Sequence, residues 1–262
     1  MAANRWVVGA RPRTLPAAIV PVLVGTAAAA GERSGGLVLW RAVAAMVVAL
    51  AIQVATNYVN DYADGVRGTD DRRVGPVRLV ASGMASASAV KKAALVAGLV
   101  ACAFGLALAA AVGPEVVFIG AVSLAAGYLY TGGPSPYGYL GLGEVFVFTF
   151  FGLVATTGST YVQLDEVQVL ALGASVPIGC LATALLVVNN LRDIPTDAIA
   201  GKRTLAVRLG DGPTRALYLG LTAAAFLALP IIAIRRPLAL LALGAVALAV
   251  RPMRAIASGA TG

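Results

Sequence analysis

The chain has 262 residues, 59% of them hydrophobic and 12% charged, with a formal charge of +8 and no histidine. Soluble domains carry roughly 25% charged residues, so this composition excludes an ordinary globular domain, and its apolar content excludes intrinsic disorder. Without histidine there is no Ser-His-Asp triad, Cys-His dyad, His-ligated zinc or haem axial histidine, and Cys102 and Cys180 stand far apart in apolar runs, unsuited to a disulfide framework or a thiolate metal site.

In chain order, the apolar segment after Arg5, Arg11 and Arg13 continues into a multispanning pattern rather than ending as a cleavable signal. A membrane span needs about 20 apolar residues, with roughly 17–25 as the working range. Segments of that kind lie at 15–30, 37–59, 93–112, 115–131, 144–162, 167–190, 213–234 and 237–252. The expected fold is therefore an all-α polytopic membrane protein with eight transmembrane helices, read as a single domain over 1–262. No ten-residue alternation indicates a barrel.

Topology follows from the basic residues. With the N-terminus in the cytoplasm, one side receives Arg5, Arg11, Arg13, Arg67, Arg72, Arg73, Arg78, Lys91 and Lys92, then Arg192, Lys202, Arg203, Arg208, Arg215, Arg251 and Arg254. Only Arg33, Arg41, Arg235 and Arg236 fall outside. The positive charge is thus mostly a topology signal, and no nucleic-acid partner is expected. The cytoplasmic side also carries the two longest connections, 60–92 and 191–212, and long connections in compact proteins often carry function.

Two carboxylate clusters sit at the cytoplasmic ends of the second and sixth spans. Aligning Asp61 with Asp193 places an Asn four residues before each, Asn57 and Asn189, and a further Asp three or four residues after, Asp64 and Asp197. Such repetition four spans apart predicts two four-helix halves around a central cavity. On helices, Asn57, Asp61 and Asp64 share one face, as do Asn189, Asp193 and Asp197. Each helix then offers a stripe of oxygen ligands. Mg²⁺ suits them, because it takes few carboxylates, keeps waters and bridges to substrate phosphates. Lys202, Arg203, Arg67 and Arg78 add positive charge for a pyrophosphate. The alternative is that these acids only solvate helix ends and pair with neighbouring arginines; Asp70, Asp71 and Asp211 are the most open to that reading.

At this point the sequence resembles the UbiA-type superfamily of intramembrane prenyltransferases. The first family motif, Asn-Asp-x-x-Asp, matches Asn60-Asp61-Tyr62-Ala63-Asp64; the second, Asp-x-x-x-Asp, matches Asp193 to Asp197, followed by Gly201-Lys202-Arg203-Thr204-Leu205-Ala206. Within the superfamily the chain is most similar to the 1,4-dihydroxy-2-naphthoate polyprenyltransferase branch of menaquinone synthesis. That similarity is carried by Ala10-Arg11-Pro12-Arg13-Thr14-Leu15-Pro16, by the run from Asp64 to Asp70, by Tyr130-Thr131-Gly132-Gly133-Pro134 and by the run from Gly138 to Glu144. Two features depart from the family. Gly68 stands where another Asp is usual, with Asp70 as a substitute, and the family has nine spans, so a ninth C-terminal helix is expected to be missing here.

The resemblance implies Mg-dependent transfer of a polyprenyl group from an allylic diphosphate to an aromatic carbon, with decarboxylation, in a bacterial cell membrane and on its cytoplasmic side. Asp61 and Asp64 would hold one Mg²⁺, and Asp193 and Asp197 another. Asn57 and Asn189 would orient ligands, and Lys202, Arg78 and Arg13 would contact the pyrophosphate, although Arg13 also reads as a positive-inside anchor. One of Tyr128, Tyr130, Tyr137 and Tyr139 would meet the acceptor ring, or their loop is simply a tight turn. Glu144 would pair with a cation or with the acceptor. Sister enzymes using 4-hydroxybenzoate, homogentisate, haem or a phosphoribosyl acceptor are the alternatives, as is a cation-coupled transporter, whose site would lie nearer the bilayer midplane.

Overall fold

The computed structural model describes residues 4–32, 36–69 and 75–261, and no strand occurs among them. Arg33 and the run from Asp70 to Val74, including Asp71, Arg72 and Arg73, lie outside the described residues. All eight expected segments are helical. They are α2 (Pro16–Ala29), α3 (Leu39–Arg67), α4 (Ala87–Ala111), α5 (Glu115–Leu129), a rod from α6 (Gly143–Val147) through a π-helical stretch (Phe148–Val154) to α7 (Ala155–Leu164), α8 (Val169–Ile199), α10 (Asp211–Leu227) continuing into α11 (Leu229–Ala233), and a 3-10 stretch (Pro237–Ala245) leading into α12 (Val246–Ala257). Two short helices, α1 (Arg5–Ala10) and α9 (Leu205–Leu209), precede α2 and α10.

Not every segment meets the length and hydropathy of a span. Six do: Leu39–Arg67, Ala87–Ala111, Gly143–Leu164, Val169–Ile199, Asp211–Ala233 and Pro237–Ala257. A seventh arises if the N-terminal pair, bent by 52° between Thr14 and Pro16, is counted as one. Helix α5 has 15 residues, about 22 Å at 1.5 Å per residue, against a hydrocarbon core of about 30 Å. Gly113-Pro114 and Gly132-Gly133-Pro134 bracket it, and neither sequence continues a helix. The expected eight spans are therefore six or seven by length and composition.

The packing is inverted relative to a soluble protein. Alanines dominate the buried set, including Ala18, Ala29, Ala44, Ala101, Ala171, Ala184 and Ala225, while Leu95, Phe118, Leu227, Ile234, Leu241 and Leu248 point outward. Small residues let helices approach closely, and large apolar side chains suit a lipid surround. At the crossing of α2 and α7, a Cβ on Gly25 would stand 2.1 Å from the Thr156 carbonyl oxygen, so only glycine allows that approach.

The two halves interlock rather than standing as separate bundles. Helix α3 packs on α4, and α8 packs on the π stretch and on α10, but α2 lies against α7 and α8 as well as α3. Together they enclose a cavity of about 580 Å³, lined from α2, α3, α4, α5, the α6–α7 rod and α8. Charged side chains gather at opposite ends. The α3 and α8 C-termini carry the Asp motifs, while the far end holds Arg236 against Glu32 at 2.7 Å and Arg41 near Asp165 at 3.5 Å.

Candidate active site

Helix α3 runs eight residues beyond the expected boundary at 59, carrying the whole first motif on helix rather than loop. It stops at Gly68, whose φ of 71° is the left-handed conformation that glycine adopts without penalty, and whose N–H reaches the Asp64 and Gly65 carbonyls. Thr69 donates to the same Asp64 carbonyl from its amide at 3.1 Å and its hydroxyl at 3.2 Å. Helix α8 likewise extends past 190 to Ile199, through Pro177 and Pro195. Gly201, with φ of 74°, then turns the chain so that the Lys202 amide donates to the Asp197 carbonyl at 2.9 Å.

This turn aims Lys202 across the cavity at the other motif. Its Nζ donates to Asp64 Oδ2 at 3.0 Å and lies 4.8 Å from the centre of the Tyr139 ring. Arg78 approaches the same oxygen at 3.8 Å, and the Tyr139 hydroxyl donates to Asp64 Oδ1. Asp64 is 2% exposed and Lys202 7%. A carboxylate so deeply buried is tolerated only when charge and hydrogen bonds satisfy both oxygens, which these groups do. Burial first, and then the Asp64 charge, push the Tyr139 phenol above its ordinary range, so it remains a donor near neutral pH. Asp193 is buried and held in a bidentate pair by the adjacent Arg192, at 2.7 and 3.0 Å.

The structure brings Asn57, Asp64, Arg78, Tyr130, Asn189, Asp193, Asp197 and Lys202 to one cavity. Several expectations change. Asp61 does not line it: the residue is 0% exposed and accepts the Leu79 and Val80 amides on its two oxygens. Asn60, one turn before Asp64 on the same face, lines the cavity instead and accepts from the Thr131 hydroxyl at 2.6 Å. Arg13 is exposed and points elsewhere, because its 3-10 turn presents Arg11 and Thr14 to the cavity. Arg11 has a φ of 52°, an uncommon conformation for a side-chain-bearing residue and one that clusters at functional sites. Arg67 and Arg203 are also exposed; Arg67 donates to the Thr131 and Gly133 carbonyls and so pins the turn after α5.

Other groups take parts that spacing did not assign. Asn57 lines the cavity but spends its amide on the Ala10 carbonyl and the Thr14 hydroxyl, tying the N-terminal segment to α3. Asn189 donates to the Leu185 carbonyl and accepts from Arg192. Glu144 is buried off the cavity wall, paired with Asn190 at 3.0 Å rather than with a cation. Tyr128 is half-exposed and away from the site, whereas Tyr130, Tyr137 and Tyr139 line it. Tyr137 stacks on Phe146 with centroids 3.9 Å apart, and Phe150 continues the aromatic wall from the π-helical stretch. A π segment adds a residue per turn and re-aims side chains, which amphipathic periodicity in sequence does not reveal.

No three acidic residues among the described ones converge into a preformed metal cage. The donors are instead split: Asn60 and Asp64 on α3, Asp193 and Asp197 on α8. A split, all-oxygen set fits a hard divalent ion that keeps waters and shares phosphate oxygens.

Comparison with known proteins agrees with this arrangement. The chain is 48% identical over 258 residues to a protein of Mycobacterium tuberculosis named 1,4-dihydroxy-2-naphthoate octaprenyltransferase, covering 98% of this chain and 88% of that one. A protein of the same name from Escherichia coli is 38% identical over 213 residues, covering 79% and 68%. A UbiA homolog from Archaeoglobus fulgidus, solved bound to GPP and Mg2+, shares the fold with a TM-score of 0.75 at 15% identity, covering 99% and 89%. The family profile described as UbiA prenyltransferase matches residues 18–258, and with both Asp motifs facing one intramembrane cavity the chain belongs to the UbiA prenyltransferase family.

Proposed function

We propose that this protein transfers a polyprenyl group from an allylic polyprenyl diphosphate to 1,4-dihydroxy-2-naphthoate, with loss of the ring carboxyl as carbon dioxide, giving demethylmenaquinone. The observation that carries the reading is one continuous cavity with two chemistries. Asp64, Asp193, Asp197, Lys202 and Arg78 gather at one end, and Val48, Ile52, Leu106, Val116, Phe146 and Phe150 line its flank. Such a cavity suits a substrate with an anionic head and a long apolar tail. The likeness to enzymes of that name over most of the chain supports the choice of acceptor.

Mg²⁺, present in the solved Archaeoglobus fulgidus relative, would be held by Asp64 with Asn60 and by Asp193 with Asp197, and when bound supplies Lewis-acid neutralisation of the diphosphate. Asp61 leaves the ligand set, since it is fully buried, does not line the cavity and is bonded to backbone amides, whereas Asp64 and Asp193 line the cavity and pair with side chains. Lys202 and Arg78 stabilise the negative charge that develops on the departing diphosphate as the allylic C–O bond breaks. The apolar wall keeps water from the allylic cation, and the faces of Tyr137, Phe146 and Phe150 stabilise it until the electron-rich ring carbon attacks. Tyr130 and Tyr139 stand at the boundary between the two chemistries, where an aromatic acceptor would meet the reacting carbon. The protein sits in a bacterial cell membrane with its N-terminus and the Asp-motif end toward the cytoplasm, as the lysine and arginine distribution supports.

The test is product analysis by mass spectrometry with an acceptor panel and one polyprenyl diphosphate. Dihydroxynaphthoate is expected to give demethylmenaquinone with carbon dioxide release, while 4-hydroxybenzoate and homogentisate give none. Chelation with EDTA is expected to abolish turnover, and added Mg²⁺ to restore it. Turnover of another acceptor in preference to the naphthoate, or full activity in EDTA, would overturn the reading.

A further inference from the structure

The residues beside Asp64 on α3 serve the neighbouring loop rather than the cavity. Asp61 and Gly65 lie one helical turn apart on the same face. Asp61 Oδ2 accepts the Leu79 N–H at 2.8 Å and Oδ1 accepts the Val80 N–H at 2.9 Å. Gly65 forms a seat beside them, where a Cβ would stand 2.6 Å from Val80 Cβ. Leu79 is fully buried among Tyr58, Ala85, Val90 and Ala94, and the Ala85 amide closes the turn on the Leu79 carbonyl at 3.0 Å. The residue just before this gripped pair is Arg78, whose guanidinium lines the cavity 3.8 Å from Asp64 Oδ2. The stretch of backbone that Asp61 holds is therefore the stretch that aims Arg78. Two charge-assisted bonds to successive amides fix both the position and the rotation of that turn.

We propose that Asp61 is a positioning residue. It locks residues 78–80 against α3 so that Arg78 presents its guanidinium to the diphosphate end of the cavity, and it binds no metal. The inference rests on the prenyl-diphosphate reading above. It divides the motif by helix face: Asn60 and Asp64 serve the ligand, while Asp61 and Gly65 serve the loop that supplies a cation to it.

The experiment is a double-substitution cycle on the full chain in detergent, with wild type, Asp61→Asn, Arg78→Ala and the double variant. Inorganic pyrophosphate in the presence of Mg²⁺ is the probe, titrated by calorimetry. Asp61→Asn keeps the shape but turns an amide NH₂ toward a backbone N–H. It is expected to weaken pyrophosphate binding about tenfold, the size of one charge-assisted hydrogen bond. Because Asp61 acts through Arg78, the double variant is expected to bind no more than about twofold more weakly than Arg78→Ala alone. The Mg²⁺ concentration for half-maximal binding is expected to stay within about twofold of wild type, since no metal ligand has been removed. Additive losses in the cycle, wild-type affinity in Asp61→Asn, or a clearly raised Mg²⁺ requirement in that variant would each overturn the proposal.

A measurement on the unsubstituted protein keeps the idea testable if Asp61→Asn folds poorly. Amide hydrogen exchange over 78–82 should show slow exchange at Leu79 and Val80, and exchange at the rate of an exposed turn would sink the clamp. Neither experiment uses an aromatic acceptor. Failure of the wild type to prenylate the naphthoate therefore counts against the proposed function, whereas an additive cycle counts against the clamp.

Discussion

Asp64 concentrates the electrostatics of the site. Burying a carboxylate costs several kcal/mol unless partners compensate, and removing one partner of a buried pair exposes that cost. Lys202→Met, which deletes the 3.0 Å contact to Asp64, is therefore expected to lower the thermal midpoint and to cut kcat/KM about 100-fold or more, read by thermal unfolding in detergent and steady-state prenyl transfer. A Lys202→Met enzyme with wild-type kcat/KM would contradict the role given to that cation. The N-terminal arginines offer a second comparison at this scale. Arg11 lines the cavity and Arg13 is exposed, so Arg11→Ala is expected to lower kcat/KM by about tenfold or more, while Arg13→Ala stays within about twofold. Equal effects, or the reverse order, would show that the turn between α1 and α2 is set differently.

Helix length and close approach decide what reaches the cavity. Both motif helices extend beyond the apolar stretch that defines a span and run on through polar residues, until Gly68 and Gly201, each in the left-handed conformation, turn the chain away. The crossing of α2 on α7 depends on Gly25, where a Cβ would stand 2.1 Å from a backbone oxygen. Gly25→Val drives a side chain into the Thr156 carbonyl and is expected to destabilise by about 2–3 kcal/mol. Gly173→Ala, in α8 where a Cβ meets nothing within 4 Å, is expected to be neutral or stabilising by up to about 1 kcal/mol. Thermal unfolding monitored by loss of monodisperse protein in detergent checks both, and a Gly25→Val protein as stable as wild type would refute the packing described for α2.

For the whole molecule, the separation of charge between two ends governs how it sits in a bilayer. In a background lacking Cys102 and Cys180, Ser82→Cys and Arg203→Cys at the Asp-motif end are expected to react with a membrane-impermeant maleimide only in inside-out vesicles. Glu166→Cys at the far end is expected to react only in right-side-out vesicles. The opposite pattern would reverse the orientation. Read from residues alone, apolar length and basic asymmetry made the helices, their order and the Asp-motif end legible, since each is a property of local composition. The paired motifs also made Asp64, Asp193, Asp197 and Lys202 legible as neighbours.

What one-dimensional spacing did not carry is which face of a helix meets which neighbour. Asp61 and Asp64 differ by three residues, about 60° of helix rotation from perfect alignment, and that rotation separates a residue holding a loop from one facing a ligand. Which side chains a turn presents likewise separates Arg11 from Arg13, and the π-helical turn brings Phe150 into the wall. Sequence by itself determined the chemistry available and the membrane that contains it, because hydrophobic length and charge act through local free energies of transfer. Tertiary structure alone decided that Lys202 contacts Asp64 directly and that Asp61 turns away from the cavity, because that depends on helix rotation and glycine-permitted contact between segments more than a hundred residues apart, such as Asp64 and Lys202.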